Sequence, residues 1–229
     1  MIQQRIKRKL YKLTHPVVGE IWMLHRVVEH VSNVPEQKEL EVTVAWLEQK
    51  INEYRSKGYT FVSIDNLPKH GHWVCLTFDD GYRDNYTLAY PMLKRLGVPF
   101  TVYVTTGFID NLSPMWWYPG AQLGISTEEL KTMDADPLCT IGAHTVSHPR
   151  LDILTREQQY REIAESKQTL EALLGHEIKH FSFPHGAHNK DTLSICRELG
   201  FRTVVQSWGG PLRRGENPYP LPRINMTTK

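Results

Sequence analysis

Cysteine, long apolar runs and an excess of charge of one sign are all scarce in this chain of 229 residues. The three cysteines, Cys75, Cys139 and Cys196, are too few and too scattered for a disulfide framework or a cysteine-based zinc site. We expect them to be reduced core residues in a reducing compartment. No apolar run approaches the ~18 residues that a membrane-spanning helix needs. The 27 lysines and arginines barely exceed the 25 aspartates and glutamates, so nothing indicates nucleic acid as a partner.

The remaining composition is typical of a folded globular protein. Hydrophobic residues make up 40% of the chain and charged residues 23%. At this length one domain is the default and two small ones are the alternative. No linker rich in Gly, Ser or Pro interrupts residues 20–210, which favours one domain. We therefore predict a single domain over residues 19–229, preceded by a separate segment, residues 1–18.

Residues 1–18 predict a basic amphipathic helix. Four apolar residues recur at helical spacing between Ile2 and Leu13, and no acid precedes Glu20. Such a helix can lie on an anionic membrane surface, and the alternative is a first helix packed on the domain with its cations in water. Neither an apolar stretch nor a small-residue cleavage site follows the basic residues, so we expect no signal peptide. The expected location is cytoplasmic, with peripheral association at the inner face of the membrane.

Strands and helices alternate through the rest of the chain. A first predicted strand ends near His25, and the others cover residues 59–64, 72–78, 98–106, 139–145, 180–186 and 201–208. Predicted helices cover residues 41–57, 83–96, 155–174 and 189–199, and another begins at Ser126. Short strands that are apolar on both faces and separated by helices predict an α/β fold with a parallel sheet.

Polar residues of catalytic types follow the carboxyl ends of four predicted strands. They are His25, the pair Asp79–Asp80, His144 with His148, and the pair Pro184–His185. In βα barrels and open α/β sheets, functional sites are built at that edge. We therefore expect the four segments to meet at one mouth.

The acid pair and the histidine pair together indicate a metal site. Alone, Asp79–Asp80 is more typical of an Asx turn or a helix cap, and His144 and His148 could be loop histidines without a shared partner. At positions i and i+4, the two imidazoles would share one side of a helical turn and reach one ion. Two histidines and one aspartate leave coordination positions open, and the second aspartate is then free to act as a base.

Two segments, LTFDDGYRDN (76–85) and GAHTVSHPRL (142–151), resemble the first two motifs of the polysaccharide deacetylases, the NodB-like carbohydrate esterases. FSFPHG (181–186) is similar to the third motif in one branch of that family, and MLHRV (23–27) resembles an early segment of the same branch. The resemblance runs in order through nearly the whole chain. It implies a distorted (β/α)7 barrel and a divalent-metal-dependent N-deacetylase.

The resemblance also implies a role for each matching residue. Asp80, His144 and His148 would bind one divalent ion, most often zinc in this family, with cobalt or nickel as alternatives. Asp79 would be the general base for the attack of water on an acetamide carbonyl. The backbone N–H of His185 would help to hold the oxyanion, and the products would be acetate and a free sugar amine.

Two parts of the family pattern are absent from their usual places. Ser182 occupies the position of an arginine that usually orients the base, and Arg223 either supplies that guanidinium from the C-terminal LPRI segment or is a surface cation. The usual C-terminal histidine that protonates the leaving amine is not visible, since no histidine follows His188. His25 and His185 are the candidates for that acid. We favour His25, and the alternative is that it is a structural histidine.

Further substrate contacts are expected around the mouth. Trp116, Trp117 and Tyr118 lie in the long loop after the strand 98–106, and Trp208, which ends the last clear strand, could form a wall of the acetyl pocket. Burial in the core is the alternative for these rings. The complete set of predicted substrate-binding residues is Tyr82, Pro184, His185, Trp208 and Arg223.

Three functions are compatible with these residues. The first is removal of an acetyl group from an N-acetylated polysaccharide, oligosaccharide or sugar precursor. The second is non-catalytic carbohydrate binding on the same barrel, which the two missing motif residues would allow but the intact base and ligands argue against. The third is the same chemistry on an O-acetyl ester or a nonsugar amide. The expected lack of a signal peptide favours a nucleotide- or lipid-linked N-acetylhexosamine, and a basic N-terminal helix would suit a lipid-linked acceptor.

Overall fold

Eleven strands are present in the computed structural model, which describes residues 14–227. In chain order they are β1 (Val17–Leu24), β2 (Arg26–Val28), β3 (Glu41–Thr43), β4 (Thr60–Phe61), β5 (Trp73–Phe78), β6 (Phe100–Val104), β7 (Cys139–Ala143), β8 (His180–Ser182), β9 (Thr203–Gly209), β10 (Leu212–Arg213) and β11 (Leu221–Asn225). The helices are α1 (Pro35–Lys38), α2 (Val44–Ser56), α3 (Tyr90–Leu96), α4 (Thr127–Asp134), α5 (Arg156–Leu174) and α6 (Lys190–Glu198).

Seven of the strands form a closed parallel barrel in the order β1, β5, β6, β7, β8, β9, β11. The ring closes because β1 pairs in parallel on both sides, with Trp22 opposite Leu76 of β5 and opposite Ile224 of β11. The short strands β4 and β10 extend the sheet at its edges, and β2 pairs separately with β3. The single α/β domain and its seven-stranded barrel confirm the predicted fold.

Alternate side chains of β5 show how the barrel directs residues inward or outward. Leu76 and Phe78 belong to the large core that packs the strands against the helices. Cys75 belongs to a smaller cluster inside the barrel. Because the strand period is two, Thr77 and then Asp79 fall on that inner side. As predicted, all three cysteines are buried and have free thiols.

Helix boundaries follow the predicted caps where the signal is local. Ser126 with Glu129 and Thr155 with Gln158 form complete capping boxes at the starts of α4 and α5. Gly175 ends α5 in the left-handed conformation, with φ of 78°. These three helix ends confirm the predicted caps and the predicted stop at Gly175.

Other boundaries differ from the prediction. The helix expected over residues 41–57 is strand β3 followed by α2, because the hydroxyl of Thr43 accepts a hydrogen bond from the Trp46 N–H and starts the helix there. The strand expected over residues 180–186 ends at Ser182, and a 3₁₀ turn with left-handed His185 follows it. The helix expected over residues 83–96 has the predicted bounds and contains a π-helical turn over residues 85–89.

Only a small part of the predicted N-terminal helix, residues 1–18, lies within the described residues. Residues 1–13, which hold most of the predicted basic helix, lie outside the described residues. Strand β1 begins at Val17, so the last two residues assigned to that helix belong to the barrel. Within residues 14–227, no helix combines the length and the apolar character needed to cross a membrane.

Thr155→Ala should lower the free energy of unfolding by about 1 kcal/mol, because it removes the acceptor of the Gln158 N–H at the start of α5. Chemical denaturation of the purified proteins measures the difference. Thr169→Ala is the matched control, since Thr169 is exposed within the same helix and alanine has the higher helix propensity. Equal stabilities of wild type and the Thr155 variant would contradict the capping role.

Candidate metal centre and active site

Asp80, His144 and His148 meet at the carboxyl end of the barrel. Oδ1 of Asp80 lies 3.3 Å from Nε2 of His144 and 3.2 Å from Nε2 of His148. All three residues are buried, and one ligand atom from each lies within 4.8 Å of the other two. The Asp80 Oδ1 atom is buried without a well-formed hydrogen bond within residues 14–227. A carboxylate oxygen without a donor beside two imidazoles fits a divalent cation of the zinc type.

The ligands depend on unusual backbone conformations. Four residues of the site have positive φ although none is glycine: Asp80 at 76°, Thr145 at 66°, His148 at 61° and His185 at 57°. Such conformations cost on the order of 1–3 kcal/mol each and occur mainly at functional sites. The predicted helical turn over residues 144–148 is therefore wrong. The two histidines do converge, but from a loop that contains two left-handed residues.

Partners of the ligands define their charge and orientation. Nδ1 of His144 lies 2.8 Å from the carbonyl oxygen of Ser182, an arrangement that directs Nε2 towards Asp80. Burial raises the pKa of Asp80, but His148 and His144 outweigh that effect and hold the pKa well below its usual range. The carboxylate is therefore ionised at neutral pH.

Asp79 has a different partner from Asp80. Nη1 of Arg223 donates to Oδ1 of Asp79 at 2.8 Å, and Nη2 donates to Oδ2 at 2.6 Å. Nη2 also donates to Oγ of Ser182 at 2.9 Å. Arg223 is only 1% exposed, so it is not a surface cation. It places a guanidinium on Asp79, and Ser182, at the usual arginine position, helps to hold that guanidinium.

The Arg223 contact controls the charge on Asp79. Burial raises the pKa of Asp79, whereas Arg223 and then His144 lower it, and the net effect is a lowered pKa. A bidentate pair of this kind is directional as well as charged. Removal of one partner would leave an uncompensated buried charge, which typically costs about 3–5 kcal/mol. Asp79 is therefore an ionised carboxylate with a fixed orientation.

Two further histidines line the cavity at the barrel mouth, which Asp79 and the three residues of the metal cluster also line. His25 and His185 both have lowered pKa values, chiefly because burial disfavours the charged ring. For His185 the pKa falls to about 4, with the neighbouring His148 and His144 adding to the effect. For His25 the charges of Asp80 and Asp79 oppose the lowering. Both predicted acid candidates thus line the cavity together with the histidines of the metal cluster.

The cavity has a volume of about 450 Å³ and opens beside the long loop after β6. Trp116 lines it and is 69% exposed. Trp117 also lines it and packs on His148, with ring centroids 4.9 Å apart. The indole N–H of Trp117 donates to the hydroxyl of Tyr82 at 2.6 Å. Two of the three aromatic residues of this loop, Trp116 and Trp117, therefore line the mouth, and Trp116 is the accessible ring.

Several predicted contacts lie elsewhere. Tyr82 and Tyr118 are buried, so a direct side-chain contact with a ligand at the mouth is not open to them. Tyr82 instead supports Trp117, and Tyr118 donates to a buried glutamate, Glu41, at 3.1 Å. Pro184 is also buried and does not line the cavity. The side chains of Tyr82 and Pro184 pack inward, and contact of these two residues with substrate stays a prediction.

Trp208, expected as a wall of the acetyl pocket, does not line the cavity. Trp208 is 54% exposed and its ring covers Gly186, where an added Cβ would come within 2.3 Å of it. The next residue inward, Ser207, lines the cavity instead. Glu36 and Glu39, near α1, also line the cavity and were missed in the sequence.

Comparison with known proteins agrees with this geometry. A model of the polysaccharide deacetylase family matches residues 66–204, more than half of the chain. YxkH of Bacillus subtilis (strain 168), which is assigned to the polysaccharide deacetylases, is 29% identical over 220 residues that cover 94% of this chain and 74% of YxkH. A poly-beta-1,6-N-acetyl-D-glucosamine N-deacetylase of Staphylococcus aureus (strain MSSA476) is 23% identical over 218 residues, 88% of this chain and 73% of that protein.

Solved structures show the same architecture. The deacetylase PplD of Streptococcus pyogenes, solved in complex with acetate, superposes with a TM-score of 0.75 at 28% identity and 93% coverage of both chains. IcaB of Ammonifex degensii gives a TM-score of 0.79 at 26% identity and 92% coverage of both chains. With the matching motifs, the barrel and the Asp–His–His cluster, these similarities place the protein in one family: the chain belongs to the polysaccharide deacetylases.

Proposed function

We propose that this protein is a metal-dependent N-deacetylase that removes the acetyl group from an N-acetylated hexosamine. The main observation is that two adjacent carboxylates have separate partners. Asp80 lies against two histidines, whereas Asp79 is held by Arg223. A carboxylate that binds the ion is not free to take the proton of the attacking water, so a second carboxylate is suited to act as the base.

Asp80, His144 and His148 would hold the ion, and we propose zinc, with cobalt or nickel as ions that the same donors accept. When bound there, a divalent ion polarises the acetyl carbonyl and lowers the pKa of a water molecule. Asp79 would take the proton of the attacking water, since Arg223 keeps it ionised but leaves lone pairs on both of its oxygens.

The leaving amine needs a proton, and His25 is the proposed donor. His25 and His185 both line the cavity, but with a pKa of about 4 the His185 ring is unprotonated at neutral pH and has no proton to donate. Burial lowers the pKa of His25 too, and the charges of Asp80 and Asp79 oppose that lowering. The backbone N–H of His185 is the proposed additional donor to the oxyanion, since its left-handed conformation places this peptide in a tight turn beside the ligands.

A glycan or sugar precursor fits the mouth. The cavity is open and contains an exposed indole, and flat exposed rings are suited to the apolar faces of pyranoses. The Staphylococcus aureus relative is named for an N-acetylglucosamine polymer, and PplD was solved with acetate, the acid that deacetylation releases. The cytoplasmic location and the lipid- or nucleotide-linked form of the sugar stay predictions from the sequence.

Asp79→Asn should lower kcat for acetate release from N-acetylglucosamine oligosaccharides by about 10²–10⁴-fold, the usual contribution of a general base. Asparagine keeps the shape and one acceptor for Arg223 but leaves the buried guanidinium without its counter-charge, so circular dichroism and bound metal are measured in the variant before kcat is compared. Asp191→Asn, at an exposed position at the start of α6, is the control and should keep full activity.

Each other function has a distinct result in the same assay. A carbohydrate-binding protein would bind the oligosaccharides and release no acetate in wild type. An O-acetyl esterase would release acetate from O-acetylated sugars and leave N-acetyl groups intact. Either result would refute the proposed activity.

Purified wild-type protein should contain about one divalent ion per chain after dialysis, and His144→Ala should lose it, because one of three ligands is gone. Elemental analysis by mass spectrometry measures the ion directly. His30→Ala, at an exposed position, is the control and should keep the ion. A wild type that takes up no zinc, cobalt or nickel would contradict the metal centre.

A further inference from the structure

We propose that Glu162 is a positioning residue of the metal centre, which fixes the loop that presents His148. This inference rests on the proposed metal site. Glu162 belongs to α5, outside the segments that supply the ligands, and it touches neither the cavity nor the ligand side chains. Its effect would pass through the backbone of residues 145–148.

The two histidine ligands differ in how their rings are held. His144 has an outer partner, the carbonyl oxygen of Ser182, at 2.8 Å from Nδ1. Nδ1 of His148 is buried and has no hydrogen-bond partner within residues 14–227. Outer partners normally fix the orientation of a metal-bound imidazole. The placement of His148 must therefore come from ring packing and from its own backbone.

That backbone is in a sparsely populated conformation at both ends of the loop. Thr145 has φ of 66° and His148 has φ of 61°, and a left-handed conformation is especially unfavourable for a β-branched residue such as threonine. One local contact helps, since Oγ1 of Thr145 accepts a hydrogen bond from the His148 N–H at 3.1 Å. The backbone N–H groups of Thr106 and Gly107 also hold the carbonyl oxygens of Thr145 and Val146, at 3.1 and 2.8 Å. The N–H groups of Val146 and Ser147 need a separate anchor.

Glu162 provides that anchor with a single carboxylate. Oε2 accepts hydrogen bonds from the N–H groups of Val146 at 2.9 Å and Ser147 at 3.0 Å. Oε1 accepts from the Ser147 hydroxyl at 2.6 Å. Bonds to an ionised acceptor are shorter and stronger than neutral ones. All three donors belong to the residues between the two left-handed positions, so the carboxylate holds the middle of the loop.

The neighbouring surface offers a matched control. Glu165 lies about one turn further along α5 and is exposed. Glu162 and Glu165 both line a surface cavity beside the loop, which is separate from the cavity at the barrel mouth. No hydrogen bond joins the Glu165 side chain to the loop within residues 14–227. A glutamate of the same helix and the same local charge thus lacks only the three contacts under test.

Glu162→Ala should weaken zinc binding by about 10–100-fold, the range typical for loss of an outer-sphere partner. Competition with a chromophoric chelator measures the affinity of the whole protein without any substrate. Glu162→Gln keeps an amide oxygen as acceptor and should restore most of the affinity, whereas Glu165→Gln should match wild type. The visible absorption of the Co²⁺ form should also change in the alanine variant, because the ligand geometry relaxes.

The outcomes separate a positioning role from a purely structural one. If Glu162→Ala folds, as judged by circular dichroism and Tm, and binds zinc within twofold of wild type, the proposal is wrong even where Tm falls. If the alanine variant does not fold, Ser147→Ala decides, because it removes the hydroxyl that donates to Oε1 of Glu162: it should weaken zinc binding measurably, and wild-type affinity in this variant would overturn the proposal. A wild type that binds no metal would refute the metal centre itself.

Discussion

The pairing of Arg223 with Asp79 is the contact on which the rest of the site depends. Without it, two adjacent carboxylates at one barrel mouth would compete for the same cation and repel each other. The guanidinium binds both oxygens of Asp79 and leaves Asp80 to the histidines. One contact thus gives two identical side chains different surroundings, and in the proposed mechanism these suit Asp79 as the base and Asp80 as a ligand.

Barrel closure makes that pairing available. Arg223 lies on β11, the strand that closes the ring against β1, and the pair joins residues 144 positions apart in the chain. The residue at the usual arginine position, Ser182 on β8, donates to the same carboxylate and accepts from the same guanidinium. The inner faces of β5, β8 and β11 therefore meet at one point below the mouth, and the fold and the chemistry are specified together.

Local signals in the sequence predicted the parts that local chemistry determines. The capping boxes at Ser126 and Thr155 and the residues at strand ends fall in this group, because parallel strands necessarily share a carboxyl edge. From the sequence, Arg223 could be either the guanidinium beside Asp79 or a surface cation. Only closure of the barrel, which brings β11 next to β1, decides between these two roles. The sequence prediction was wrong for the loop 144–148. There the carboxylate of Glu162, on α5, accepts hydrogen bonds that stabilise a conformation which the i, i+4 spacing of the two histidines does not indicate. The burial of Tyr82 depends likewise on loops distant in sequence, and the helix predicted over residues 1–18 stays a prediction.

The most direct test of the account is a crystal structure of the zinc-loaded protein with anomalous data at the zinc edge. The account predicts one strong peak at the mouth, within bonding distance of Asp80, His144 and His148. Asp79 should lie outside the coordination sphere and keep both hydrogen bonds from Arg223. A zinc ion bound by Asp79, or an Arg223 side chain that has released it, would contradict the division of roles between the two carboxylates.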